Sequence, residues 1–201
     1  MLTSSEIIPL FSSPVYCAVD DNLPDILHKV EDLEYMNYSK QYQGGSQSVN
    51  QNVIADLPEI MQFLEPHVKD YIYGTMGIDD RYIIDIPCSW VNCHQYMESA
   101  HEHAHRNSMY SGIVYLRTHP NCGGLVFTNQ RYHTLDPDRV SFNVYNSPRW
   151  TLQPVDGMVV IFPSDLVHSV EPNQDTNRRY SLAFNIMLRG DYGNPTSLLS
   201  L

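Results

Sequence analysis

Long apolar runs are missing from this 201-residue chain. No stretch approaches the ~18–20 residues of a membrane-spanning helix, so no membrane role is expected. Basic clusters are missing too. Twelve Lys and Arg stand against 23 Asp and Glu, for a formal net charge of -11, which argues against a broad nucleic-acid-binding face. Cysteine is scarce: Cys17, Cys88, Cys93 and Cys122 form no C-x-x-C pair and read as reduced, mostly structural thiols. Met1 to Glu6 lacks the basic start and apolar block of a signal peptide, and a cytoplasmic protein is expected. Charged residues make up only 17% of the chain, with Asn, Gln, Ser and Tyr supplying much of the polar surface. What is present, 42% hydrophobic and 11% aromatic residues, suits one domain over 1–201 with a sizeable core.

The pattern divides in two. Ile7 to Val19 is apolar, interrupted by Pro9 and Pro14, and reads as an edge strand. Leu23, Ile26, Leu27, Val30 and Leu33 share a helical face, with Asp21 or Asn22 as the cap and Pro24 in the first turn. Tyr35 to Asn52 is rich in Tyr, Gln, Gly and Ser and reads as a loop. A second helix starts at Asp56 as N-cap, with Pro58 in its first turn and Glu59 at capping-box spacing. Pro66 should kink or split it, and Gly74 and Gly77 should end it. From Arg81 onward, short β-rich segments alternate with turn signals: 82–97, 101–106, 112–117, 125–128, 150–153, 158–162, 167–170 and 180–188. About eight short strands predict a mainly β jelly roll over 81–189, with the N-terminal strand and two helices (1–80) packed outside and 190–201 as a tail. One long segment, Asn129 to Arg149, lacks periodicity. It carries Arg131, Tyr132, His133, Arg139, Asn143, Tyr145 and Arg149, and reads as a binding lid.

Three of the nine histidines occur at alternate positions in His101-Glu102-His103-Ala104-His105. Neutral imidazole is the commonest metal ligand. On a strand all three point one way and Glu102 the other. On a helix the same letters spell the His-Glu-x-x-His zinc-protease signature. The flanking segments are strand-like, and a helix from Ser99 to Tyr110 would have only Ala100, Ala104 and Met109 as its apolar stripe. The strand reading is preferred. His168, after the apolar segment Ile161-Phe162 and the turn at Pro163, is the expected distal partner. Arg179 and Ser181 share one face of the last strand. A guanidinium facing into a small barrel needs an anion, and carboxylate is its natural bidentate partner.

Taken together, Ser89-Trp90-Val91-Asn92, His103-x-His105-x-x-Ser108-x-x-Ser111-Gly112-Ile113-Val114-Tyr115-Leu116, Gly124-Leu125-Val126-Phe127, Phe162-Pro163-Ser164-x-Leu166-x-His168-x-Val170-x-Pro172 and Arg179-x-Ser181-x-Ala183-Phe184-Asn185 resemble the Fe(II)/2-oxoglutarate-dependent oxygenases. The likeness is greatest to a branch common in bacteria and their phages. The resemblance implies a double-stranded β-helix. It also implies a hydroxylase that uses iron(II), 2-oxoglutarate and O2, forms succinate and carbon dioxide, and oxidises a substrate that the sequence does not identify. It implies His103, His105 and His168 as metal ligands and Arg179, with Ser181, on the distal carboxylate of 2-oxoglutarate. Asn92, Tyr96 and Tyr115 are the expected hydrogen-bond donors to that cosubstrate. The wider superfamily has a carboxylate two residues after the first His, where this chain has His105. His101 with His103, a water in place of a third ligand, and Asp165 as a carboxylate ligand are the alternatives. Two other classes compete: a three-His cupin-type enzyme, and a non-enzymatic metal-binding jelly roll in a viral particle.

Overall fold

The structure is a computed structural model describing residues 4–37, 44–130, 135 and 137–201. Two antiparallel sheets face each other in a double-stranded β-helix. The larger is built from β1 (Tyr16–Val19), β2 (Tyr35–Asn37), β3 (Ser46–Ser48), β4 (Ile83–His94), β6 (Tyr110–Arg117), β9 (Met158–Pro163) and β11 (Arg179–Arg189), in the order β1-β9-β6-β11-β4-β3-β2. The smaller contains β5 (Ala100–His103), β7 (Leu125–Thr128), β8 (Arg149–Leu152) and β10 (His168–Val170), in the order β5-β10-β7-β8.

The larger sheet is covered on both faces, which explains its near-continuous apolar runs. Side chains alternate along each strand. One set (Val91, Val114, Val159, Ile161, Leu182 and Phe184) packs under the helices, against Ile60, Leu64, Val68 and Tyr71. The other set (Ile113, Tyr115, Val160, Phe162 and Ala183) meets Leu125 and Phe127 of the smaller sheet. Gly112 sits mid-strand because the ring of Phe184, its partner on β11, lies over it: a Cβ there would be 2.2 Å from Phe184 Cζ.

The N-terminal region departs from the sequence expectation in five ways. The edge strand is only Tyr16–Val19. The first helix, α1 (Leu27–Glu31), is a single turn with no side-chain cap, so neither Asp21 nor Asn22 caps it. Asp56 does not open the second helix. It closes a short α2 (Val53–Asp56) and accepts a hydrogen bond from Asn50, while α3 (Pro58–Lys69) starts at Pro58 after Leu57. Pro66 does not break α3, which runs to Lys69 and widens into a π-helical turn over Asp70–Thr75. The expected loop at Tyr35–Asn52 contains β2 and β3, which extend the larger sheet through pairing of β3 with β4.

Candidate metal centre

The His run lies on a strand and the bend that follows it. His101 and His103 belong to β5, and His105 follows, its backbone N–H donating to the Ser164 carbonyl at 2.9 Å. This removes the helix that a His-Glu-x-x-His protease requires. His101, His103 and His105 all line one cavity of about 360 Å³. Glu102, of opposite parity, points away and accepts from Thr128 Oγ1 at 2.6 Å. Antiparallel pairing of β10 with β5 sets His168 directly opposite His103. One ring nitrogen from each of His103, His105 and His168 lies within 4.8 Å of the others. His101 is outside this group, and Asp165 is exposed on its turn.

Each ring of the trio is held through Nδ1. His103 Nδ1 donates to the His101 carbonyl (2.8 Å) and His168 Nδ1 to the Leu166 carbonyl (2.9 Å). His105 Nδ1 lies 2.6 Å from Asn185 Oδ1 and 2.8 Å from Ser111 Oγ. Carbonyl acceptors place the proton on Nδ1 and leave Nε2 with its lone pair, the form that binds a metal. Burial lowers the pKa of all three, His168 to about 4, with the Leu166 carbonyl opposing and the other two rings adding to the drop. The cluster is therefore neutral at pH 7, as ligation requires.

The deep end of the cavity is formed by inward-facing residues of the larger sheet. Trp90, Asn92 and His94 come from β4, Tyr115 from β6, and Arg179, Ser181, Ala183 and Asn185 from β11. Arg179 is 1% exposed. Its Nη1 donates to the Cys122 and Gly123 carbonyls, while Nε and Nη2 have no partner among the described residues. Among the described residues the lining contains no Asp or Glu. A buried guanidinium without a carboxylate is costly, and one lining a cavity is suited to an anionic ligand.

Residues 88–185, about half of the chain, match the family described as "Putative 2OG-Fe(II) oxygenase". The chain belongs to the 2OG-Fe(II) oxygenase superfamily. Solved structures of similar fold include an oxidoreductase of the 2OG-Fe(II) oxygenase family from Burkholderia pseudomallei (16% identity, TM-score 0.53, covering 80% of this chain and 75% of that one). A prolyl-4-hydroxylase from Pseudomonas putida is also similar (16% identity, TM-score 0.55, 89% and 95%). So is HygX from Streptomyces hygroscopicus, solved with nickel and 2-oxoglutarate bound (8% identity, TM-score 0.59, 87% and 82%). No curated relative matches the chain. As a 2OG-Fe(II) oxygenase, this enzyme uses iron(II), 2-oxoglutarate and O2, and the three-His cluster fits iron.

Among the residues expected to contact the cosubstrate, Asn92, Tyr115, Arg179 and Ser181 line the oxygenase cavity and Tyr96 does not. β4 ends at His94, and the following turn, with Met97 at φ 66°, leaves Tyr96 60% exposed. Arg131, Tyr132 and His133 of the expected lid lie outside the described residues. Of the rest, Asn143, Tyr145 and Arg149 are exposed, Arg139 is half-buried, and none lines the cavity. The sequence reading missed His94, Gln47 and Arg106, all of which line the cavity. His94 carried a signal: it shares strand parity with Trp90 and Asn92.

His94 and His168 make acid stability predictable. Both are 2% exposed, and burial depresses both, His94 to about 3 with Arg179 adding to the effect. Unfolded histidines titrate near 6.5. Between about 6.5 and the folded values, the unfolded state binds protons that the folded state excludes, so stability falls as pH drops through that window. The urea midpoint of metal-free protein is expected to fall between pH 7 and pH 5, and to fall less steeply in His94→Phe. A flat wild-type profile would contradict a neutral buried pair.

Proposed function

We propose that His103, His105 and His168 hold the catalytic iron(II) through Nε2, and that Arg179, assisted by Ser181, holds the distal carboxylate of 2-oxoglutarate. Asn92 and Tyr115 complete the cosubstrate pocket. The single observation carrying this reading is the pairing of three convergent, Nδ1-anchored imidazoles with a buried guanidinium, in one cavity where, among the described residues, Nε and Nη2 have no partner and no carboxylate lines the wall. A three-His cupin-type enzyme or a structural jelly roll has no use for that guanidinium. When bound, iron and 2-oxoglutarate supply an O2-dependent oxidation of substrate coupled to formation of succinate and carbon dioxide. The chain's own residues hold the three rings neutral and in one tautomer, present a fixed positive charge at the deep end, and exclude water with Trp90, Ile113, Tyr115, Val170 and Ala183. Four unpaired cysteines support a cytoplasmic setting. The test is conversion of 2-oxoglutarate to succinate by iron(II)-loaded protein without added substrate. No turnover, and no binding of 2-oxoglutarate to the loaded protein, would reject it.

Asn185 is a positioning residue in this scheme. Its Oδ1 receives His105 Nδ1 and also accepts from Ser111 Oγ at 2.9 Å. Ser111 is 2.8 Å from Ser164, which donates in turn to Ser108 at 3.0 Å. Loss of such an orienting partner typically weakens metal binding roughly 10- to 100-fold. Asn185→Ala should fall toward the smaller figure, because Ser111 still reaches the ring. Nickel competition titration measures it, and wild-type affinity in the variant would deny Asn185 this part.

A further inference from the structure

We propose that His94 is a second anchor for the distal carboxylate of 2-oxoglutarate, donating an imidazole N–H beside the Arg179 guanidinium. The inference rests on the cosubstrate site described above and adds a group to it. His94 is the last residue of β4 and faces inward, and ladder pairing sets it directly across from Arg179. It is 2% exposed, and neither ring nitrogen has a hydrogen-bond partner among the described residues. The Ser99 carbonyl lies near the ring but meets neither nitrogen in hydrogen-bond geometry. Two orphaned nitrogens on His94 thus stand beside two on Arg179, in a pocket that no carboxylate lines among the described residues.

Such a group is costly to bury unless something fills the gap. Packing alone does not explain His94, since an apolar ring would fit without leaving polar atoms unpaired. The site is also built around it. Gly45 leaves the space the ring occupies, because a Cβ there would come 2.6 Å from His94 Cδ2 and 2.9 Å from Nε2. Asn173, fully buried, donates from Nδ2 to the His94 carbonyl at 3.0 Å and fixes the backbone. A neutral imidazole carries one N–H, and a carboxylate selects the tautomer that points it inward. Arg179 and His94 together then present a bidentate cation and a neutral donor to the two oxygens of one carboxylate.

The experiment compares two 2-oxoacids on anaerobic iron(II)-loaded protein, followed by the metal-to-ligand charge-transfer band. 2-Oxoglutarate has the distal carboxylate, and 2-oxobutyrate chelates through the same end without it. His94→Phe should weaken 2-oxoglutarate about 10- to 100-fold, the cost of one hydrogen bond to a charged group. It should leave 2-oxobutyrate and nickel affinity unchanged, and His94→Gln, which keeps a donor, should recover part of the loss. An equal loss for both oxoacids, or no loss, overturns the proposal. Failure of wild type to bind 2-oxoglutarate instead overturns the cosubstrate site itself. Should His94→Phe fail to fold, imidazole 15N resonances of zinc-loaded wild type replace it. The His94 signals should shift with 2-oxoglutarate and not with 2-oxobutyrate, and the same response to both would overturn the proposal.

Discussion

Replacing His168 with alanine is expected to abolish succinate formation and to weaken iron(II) binding by at least about a hundredfold, more than loss of a group that merely orients a ligand. The reason lies in the pairing of the strands. His168 and His103 are opposite partners on β10 and β5, with ring centroids 4.4 Å apart, and His105 completes the triangle at 5.2 Å from His168. Removing His168 leaves two ligands at alternate positions of one stretch and nothing across from them. The ring also packs on Phe162 at 4.8 Å, so the alanine variant loses some stability as well as the ligand. A melting curve of metal-free protein separates the two effects. Nickel titration gives the affinity without redox chemistry, since nickel outranks iron(II) at nitrogen sites. His101→Ala is the control. His101 lines the cavity but stands outside the convergent trio, and its loss should leave affinity nearly unchanged. Wild-type metal affinity in His168→Ala, or an equal loss in His101→Ala, would move the centre elsewhere.

The core of this arrangement was legible because strand parity is a strong rule. Arg179, Ser181, Ala183 and Asn185 alternate with Tyr180, Leu182, Phe184 and Ile186, so small and polar groups face the cavity while large apolar groups face the helices. The same alternation placed His103 and His105 together and excluded Glu102. It failed where the strand stopped. Tyr96 has the parity of Asn92 and His94, but the backbone turns after His94, and the Gln95 N–H bonds to Glu98 Oε2 at 2.7 Å rather than to a neighbouring strand. A parity argument has no force beyond the last ladder pair.

β2 and β3 were not legible for a different reason. Tyr-Met-Asn and Ser-Gln-Ser carry no apolar alternation, and their extended form comes from pairing, β2 on β3 and β3 on the edge of β4. This tertiary effect brings Gln47 opposite Asn92 and into the cavity lining. The first helix fails in the opposite direction. Its apolar spacing extends from Leu23 to Leu33, yet only Leu27–Glu31 is helical, with Ile26 at the N-cap and no side-chain cap bond there. His94 is not legible as a site residue, because a lone histidine at a strand end has no motif. Its meaning comes from Arg179 across the ladder, a partner 85 residues away in sequence.

Arg179→Ala should raise the 2-oxoglutarate requirement by about one to two powers of ten for each hydrogen bond lost, from roughly 1.5–3 kcal/mol per charge-assisted bond. Nε and Nη2 have no partner among the described residues, so up to two such bonds are at stake. Iron(II) affinity should stay close to wild type, because Arg179 is not part of the three-His group. Nη1 has a structural part that must be separated from this. It ties the Cys122 and Gly123 carbonyls, so alanine frees the Asn121–Gly124 turn as well as the pocket. Lysine resolves the two. It keeps the charge and can reach one carbonyl or the ligand, but lacks the planar fork, so Arg179→Lys should restore the melting temperature more fully than the 2-oxoglutarate affinity. Titration of 2-oxoglutarate into anaerobic iron-loaded protein, read by the charge-transfer band, supplies the affinities. Equal affinities for wild type and Arg179→Ala would take the cosubstrate away from the deep end of the cavity and leave the buried guanidinium with only its turn-binding role.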